Sequence, residues 1–299
     1  MNYRRASAAV PGAHMLSAGM LVMVAAASLW AADTRKEFKY TTTPGSNVTV
    51  SNAFGEIVVR PVAGRQVTIT ATTHSDKVAV DSAQLGNRVH ATTNFLQQVD
   101  SKEGQVNYEV LVPSDCNVVI QNGSGMLRLS GVRSDISLKA DEGQVEVSDI
   151  NNSHVHVQTV DAPITLTNVR SQHVEVVSNG GKVLLTKVTG HEVSVNTDTG
   201  DITYDGDFAG SGRYSLMNHT GDINVTLPAT ASVDLTARSM QGTVQNDFPF
   251  LPRTSSKSSL PRGVNANSYL GGTFQGTPKS IFSQVDVSSF SGTIRVKKR

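Results

Sequence analysis

The sequence predicts an all-β protein, a single-domain β-solenoid of about ten coils behind an N-terminal signal peptide. Three observations carry that expectation. Glycine recurs at Gly125, Gly143, Gly181, Gly200, Gly221 and Gly242, with Ala162 in the one vacant place, at intervals of 18, 19, 19, 19, 21 and 21 residues. Apolar-x-apolar triplets precede the anchors, as at Ile136 to Leu138, Val155 to Val157 and Val174 to Val176, and others follow them, as at Val145 to Val147 and Ile164 to Leu166. A further apolar residue returns three places after the second triplet, at Val132, Ile150, Val169 and Val188.

Alternation turns one side chain inward and the next outward, and Val, Ile, Leu and Thr suit a pleated, half-buried surface. One coil of about 19 residues cannot bury its inward face, whereas coils stacked above and below it can. Glycine suits the tight turn, which needs positive φ or close backbone approach. The competing architecture is an antiparallel sandwich, which seldom keeps so constant a period.

Taken in order, residues 1–32 read as a signal peptide. Arg4 and Arg5 give a positive start, and an apolar run from Met15 to Ala32 ends in small residues. An uncleaved anchor is the alternative, although the run is marginal for a bilayer span. Cleavage would remove two of the 26 basic residues and none of the 25 acidic ones, leaving a net charge of −1. Nucleic-acid binding needs a basic patch, so that class is excluded. Trp30, the only tryptophan, would leave with the signal. The single cysteine, Cys116, rules out an internal disulfide framework and reads as a small buried residue just before a strand.

Residues 33–299 form the expected solenoid domain. Val48 to Val50, Gly55 and Ile57 to Val59 give one repeat unit far upstream of the main array. Ser82 to Gly104 reads as irregular, and Val106 to Tyr108 with Val110 to Val112 recovers the pattern. The regular array spans 117–246, and residues 251–279 read as an excursion loop without periodicity. A closing coil at 280–296 carries Val285, Val287, Gly292, Ile294 and Val296. Because solenoid ends expose unpaired strand edges, the irregular N-terminal region and the excursion are expected to cap them, with Ser255 to Ser259 mobile.

Aligning the coils by their glycines puts Asp135, His154, His173 and Glu192 at one rung position. Imidazoles flanked by carboxylates make this a candidate metal ladder for zinc, copper or nickel. A straight ladder lines ligands up where a metal needs convergence, so the competing reading is solvated residues at a strand entry. Lys182, Asp201 and Asp222 form a second ladder, with Asp198, Asp205 and Asp207 nearby in sequence. Calcium is conceivable there, but neither a G-G-x-G-x-D repeat nor an EF-hand spacing is present. The outward positions Ser137, His156, Glu175, Ser194, Ser215 and Asp234 on one face, and Arg128, Glu146, Thr165, Thr203 and Asn224 on another, offer no carboxylate pair. With no G-x-S-x-G, H-E-x-x-H or phosphate loop either, no catalytic residue and no cofactor is assigned.

Four stretches carry a resemblance: Tyr108 to Pro113, Gly123 to Gly125, Thr220 to Pro228 and Val285 to Ile294. On these the chain, from about Phe38 to Val296, resembles the bacterial putative-adhesin family, exported β-solenoid proteins with a domain of unknown function. The resemblance implies a solenoid fold and offers no catalytic residues to carry over. The expected function is that of an exported, non-enzymatic envelope or surface protein, with adhesin-like binding or scaffolding along a polar solenoid face. The alternative is a polysaccharide lyase or hydrolase of β-helix type, which needs clustered carboxylates in a groove. The expected partner is a surface or envelope ligand, protein or polysaccharide, with no nucleic acid and no membrane span after signal removal. The expected location is the periplasm, the outer surface or the medium.

Overall fold

The computed structural model describes residues 33–151, 154–208, 210–252, 268–276 and 281–299. The predicted signal peptide and Ser255 to Ser259 lie outside these residues. The N-terminal part supplies β1 (Thr34–Thr41), β2 (Asn47–Phe54), β3 (Ile57–Val62), β4 (Gln66–Thr73), β5 (Val78–Leu85), β6 (Arg88–Phe95) and β7 (Val106–Pro113). The array supplies β8 (Asn117–Ser124), β9 (Met126–Ser130), β10 (Ile136–Glu142), β11 (Gln144–Asn151), β12 (His154–Asp161), β13 (Ile164–Gly180), β14 (Val183–Thr199), β15 (Ile202–Asp205), β16 (Arg213–Thr220), β17 (Ile223–Leu227), β18 (Ser232–Ser239) and β19 (Val244–Asn246). The chain then adds β20 (Leu251–Pro252), β21 (Tyr269–Gln275), β22 (Ser283–Ser291) and β23 (Ile294–Lys298).

These strands stack into two ladders, and each coil, or rung, places one strand in each. The first ladder holds the strands before each glycine and runs β5, β6, β2, β8, β10, β12, β13, β14, β16, β22, β18, β21. The second runs β1, β4, β7, β3, β9, β11, β13, β14, β15, β17, β23, β19. The long strands β13 and β14 bend and serve both ladders, one with each half. Pairing through the array is parallel and residue by residue, so Val155 lies beside Val174 and Val174 beside Val193. All three are buried, as are the plugs Val132, Ile150, Val169 and Val188. The β-solenoid fold follows from that inward column.

Between the ladders the chain turns at the glycines. A Cβ built on Gly125 would strike the carbonyl of Gly55, one on Gly143 that of Gly125, and one on Gly200 that of Gly181. Glycine is therefore required twice over at Gly200, by a φ of 141° and by the backbone of the rung below. At the opposite corner, Asp149, Asn168 and Lys187 hold φ of 57°, 55° and 54° just before their plugs. Left-handed backbone there ejects one residue and turns the next inward.

Beneath the glycine turn runs a column of buried polar side chains: Asn52, Asn122, Thr159, Ser178, Thr197, Asn218, Ser289 and Ser239. All but Ser289 donate to backbone carbonyls at or beside the turn. Asn218 Nδ2 donates to Gly221 O at 2.8 Å and Gly200 O at 3.3 Å, and Asn122 Nδ2 to Gly55 O at 3.1 Å and Ser124 O at 3.2 Å.

Three features depart from the sequence expectation. Residues 82–95, read as irregular, form the β5–β6 hairpin around Gly86, whose φ is 60°. Within the excursion, read as a loop, residues 269–275 form the strand β21, which pairs antiparallel with β18 and covers the outer edge of the first ladder, as the capping expectation has it. Phe248, Phe250 and Phe274 cluster there, with Phe248 and Phe274 centroids 4.3 Å apart and edge-to-face, so apolar burial holds the segment down. The third departure is topological. The closing coil does not close the stack but lies between rung β16–β17 and rung β18–β19. The N-terminal end mirrors it: rung β2–β3 lies between strands β6–β7 and rung β8–β9. Rungs β2–β3 and β22–β23 thus each lie inside the stack, whereas β1 is the outer strand of the second ladder.

Candidate binding groove

Strand parity decides which side chains face solvent. Past the inward Val176, the outward positions of the first ladder are 177 and 179, and the same two columns repeat in each rung. Val177, Asn196, Met217, Ser288 and Arg238 align in register as the first column. Asn179, Asp198, His219, Phe290 and Met240 stand two residues further on. With Tyr269 of β21 on one side, the two columns enclose a groove of about 650 Å³. That volume lies within the range of small-ligand sites.

The groove carries exposed apolar side chains among its polar ones. Met217 is 40% exposed and Met240 69%, so both present thioether side chains to solvent. The rings of His219 and Phe290 stack across β16 and β22 with centroids 4.6 Å apart and an interplanar angle of 6°. Methionine adapts its shape to a ligand, aromatic edges add contact area, and Arg238, Asn179, Asn196 and Asp198 supply directional polar groups. The chemistry fits reversible binding of a part-apolar, part-polar molecule. Asp198 is the one carboxylate among the lining residues.

The first predicted ladder lies in register as expected, His154 beside His173 and His173 beside Glu192. Its imidazoles pair with carboxylates instead of with one another. His154 Nδ1 lies 2.9 Å from Asp135 Oδ1, and His173 Nδ1 lies 3.3 Å from Glu192 Oε2. On the next outward column, His156 Nδ1 lies 2.9 Å from Glu175 Oε2. Among the described residues no group of three or more His, Cys, Asp or Glu side chains is placed to hold a metal ion.

The second ladder also stacks, and its carboxylates serve the rungs above. Asp201 Oδ1 accepts from the Asp222 amide at 2.9 Å, and Asp222 Oδ1 from the Thr293 amide at 2.8 Å. Arg295 donates to Asp222 Oδ2 at 2.6 Å, and this bond, with the Thr293 amide, holds the Asp222 carboxyl below the ordinary aspartate value. Asp205 and Asp207 both receive Arg299. On the same ladder Arg128 bridges Glu56 at 2.7 Å and Glu146 at 2.9 Å.

Buried titratable groups serve the core. Burial pushes the Tyr108 phenol up to about 12, against the hydrogen bond that it shares with Thr93. Tyr204 is raised well above its ordinary value by burial and donates to Val188 O at 2.6 Å. Burial also raises the Cys116 thiol, which makes it a poor nucleophile.

The groove escaped the sequence reading, although one signal was available: Met217, Met240 and Phe290 are apolar residues at outward parity. Their adjacency was not available, because β22 lies between β16 and β18 only in space. Among the described residues no helix is long and apolar enough to cross a membrane.

Comparison with known proteins completes the picture. No curated protein matches the chain. A crystal structure of a putative cell adhesion protein from Clostridium sporogenes aligns over 89% of this chain and 100% of its own, at 10% identity and a TM-score of 0.28. One of a putative adhesin from Bacteroides fragilis aligns over 89% of this chain and 98% of its own, at 13% identity and a TM-score of 0.48. The family model for the Toastrack DUF4097 domain, a domain of unknown function, matches residues 38–270, most of the chain, and the protein belongs to that family.

Proposed function

We propose that the protein is an exported, non-enzymatic envelope or surface protein that binds its ligand in the groove along β14, β16, β22 and β18, an adhesin-like role. The observation that carries this reading is the exposed pair Met217 and Met240 flanking the His219–Phe290 stack. Apolar side chains at outward positions cost solubility and stability unless something covers them in use. The positive start and apolar run of residues 1–32 support export.

A β-helix lyase or hydrolase would need a pair of carboxylates across a cleft. Asp198 is the one carboxylate in the groove lining, and Glu56, Glu146, Glu175 and Asp222 elsewhere on the faces pair with arginine, histidine or the next rung's amide. Their placement supports a stitching role, which favours binding over hydrolysis.

The test is a screen of the protein beginning at Asp33 against arrayed glycans, envelope polymers and surface proteins, repeated with Met240→Glu and Arg238→Ala. A ligand whose affinity falls about tenfold or more in both variants supports the groove. A ligand bound equally by parent and variants places the binding face elsewhere, and turnover of a polysaccharide would replace the binding reading altogether.

A further inference from the structure

The rung β22–β23 follows rung β18–β19 in sequence, yet in space it separates two rungs that are consecutive in sequence. Rungs β16–β17 and β18–β19 are joined directly through residues 228–231. Each also carries the repeat needed to stack on the other: Tyr214 and Leu216 share their parity with Val233 and Leu235, and Gly221 its place with Gly242. The slot therefore lies between two faces that match without its occupant.

What holds the occupant is explicit. Its backbone pairs with β16 and β18 on one ladder and with β17 and β19 on the other. Val285, Val287, Ile294 and Val296 enter the core. Gly292 fits between Gly221 and Gly242, where a Cβ would strike the Gly221 carbonyl. Residues 281–299 carry four basic side chains and one acidic one. Arg295 meets Asp222, and Arg299 meets Asp205 and Asp207.

We propose that this slot is a strand-exchange site that accepts the 281–299 segment of a second copy of this chain in place of its own. A second copy is the partner that supplies the alternation, the glycine and the two arginines in one register. Main-chain pairing gives the affinity, the glycine fit sets the register, and the arginines add electrostatic complementarity. The ion pairs are partly exposed, so added salt weakens the hold on the resident strand and speeds exchange.

The test uses the full chain and a fluorescently labelled peptide of residues 281–299. Incubation followed by gel filtration should show the peptide co-eluting with the protein, at a rate that rises with salt. A Gly292→Ala peptide should not be taken up. A chain with Ser215→Cys and Asp286→Cys, which lie opposite each other on β16 and β22, should lose uptake when oxidised and regain it on reduction. Two differently labelled full-length preparations should likewise develop energy transfer over time. Absence of peptide uptake, uptake that persists in the oxidised chain, or the lack of exchange between full-length copies would each overturn the proposal.

Discussion

The Cβ position of Gly292 is filled by the carbonyl of Gly221, although the two residues lie 71 positions apart in sequence. Gly242 repeats the relation one rung further on, against the carbonyl of Gly292. The glycine column thus sets how closely rungs approach, and it records their order in space where the sequence does not. Gly45 gives the contrast, since a Cβ there meets nothing within 4 Å.

Gly45→Ala should accordingly cost about 1–2 kcal/mol, the strain of a positive φ alone. Gly200→Ala adds a collision with the Gly181 carbonyl and should cost about 3 kcal/mol or more. Chemical denaturation of the two variants beside the parent checks this. Equal losses would mean that rung spacing relaxes freely at the turn.

Val174 is fully buried between Val155 and Val193. Val174→Asp places a carboxylate there without a partner and should cost several kcal/mol, on the order of 3–5. Glu175→Ala, at the adjacent outward position, removes partly exposed contacts with His156 and His173 and should cost about 1 kcal/mol or less. Similar melting of the two variants would reverse the inferred parity.

Much of this was legible in the sequence because parity is a local property. Val155, Val174 and Val193 read as inward from their own triplets, and the rung position shared by His154 and His173 followed from the glycine alignment. Rung order is not local. Each rung presents the same alternation and the same turn, so nothing in residues 283–298 favours one slot over the end of the stack. The fit of Arg295 to Asp222 and of Arg299 to Asp205 marks the slot, and charge partners that far apart have no spacing rule. The groove was hidden for the same reason. The buried polar column was legible in principle, as Asn, Thr or Ser recurs three residues before most anchors, but the triplet pattern ended one turn too early to include it.

That column yields the third prediction. Asn218→Ala would strand the Gly200 and Gly221 carbonyls beneath the turn and should cost about 1–3 kcal/mol. Thr226→Ala, at an outward position of the neighbouring strand β17, should stay within about 0.5 kcal/mol of the parent. Comparable losses in both would mean that water reaches the turn and replaces the amide.

The last prediction concerns acid. The Arg295 guanidinium and the Thr293 amide both donate to Asp222, and together they lower its carboxyl from the ordinary aspartate value. A carboxyl lowered by folding stabilises the folded state at pH above its unfolded value, and that share is lost as pH falls through the folded value. The affected contacts join β17 to β23, so acid should loosen the C-terminal rung before the middle of the array. Asp222→Asn removes the charge at every pH. It should therefore be less stable than the parent near neutrality, with the gap closing as pH drops below about 4. Amide hydrogen exchange, read separately over 283–298 and over 164–199, gives the location. Faster exchange in the first segment and not the second, at pH 3 in the parent and at pH 7 in Asp222→Asn, is the expected pattern. A gap that is the same at both pH values, or exchange that rises evenly along the solenoid, would remove Asp222 as the acid-sensitive clasp of the intercalated rung.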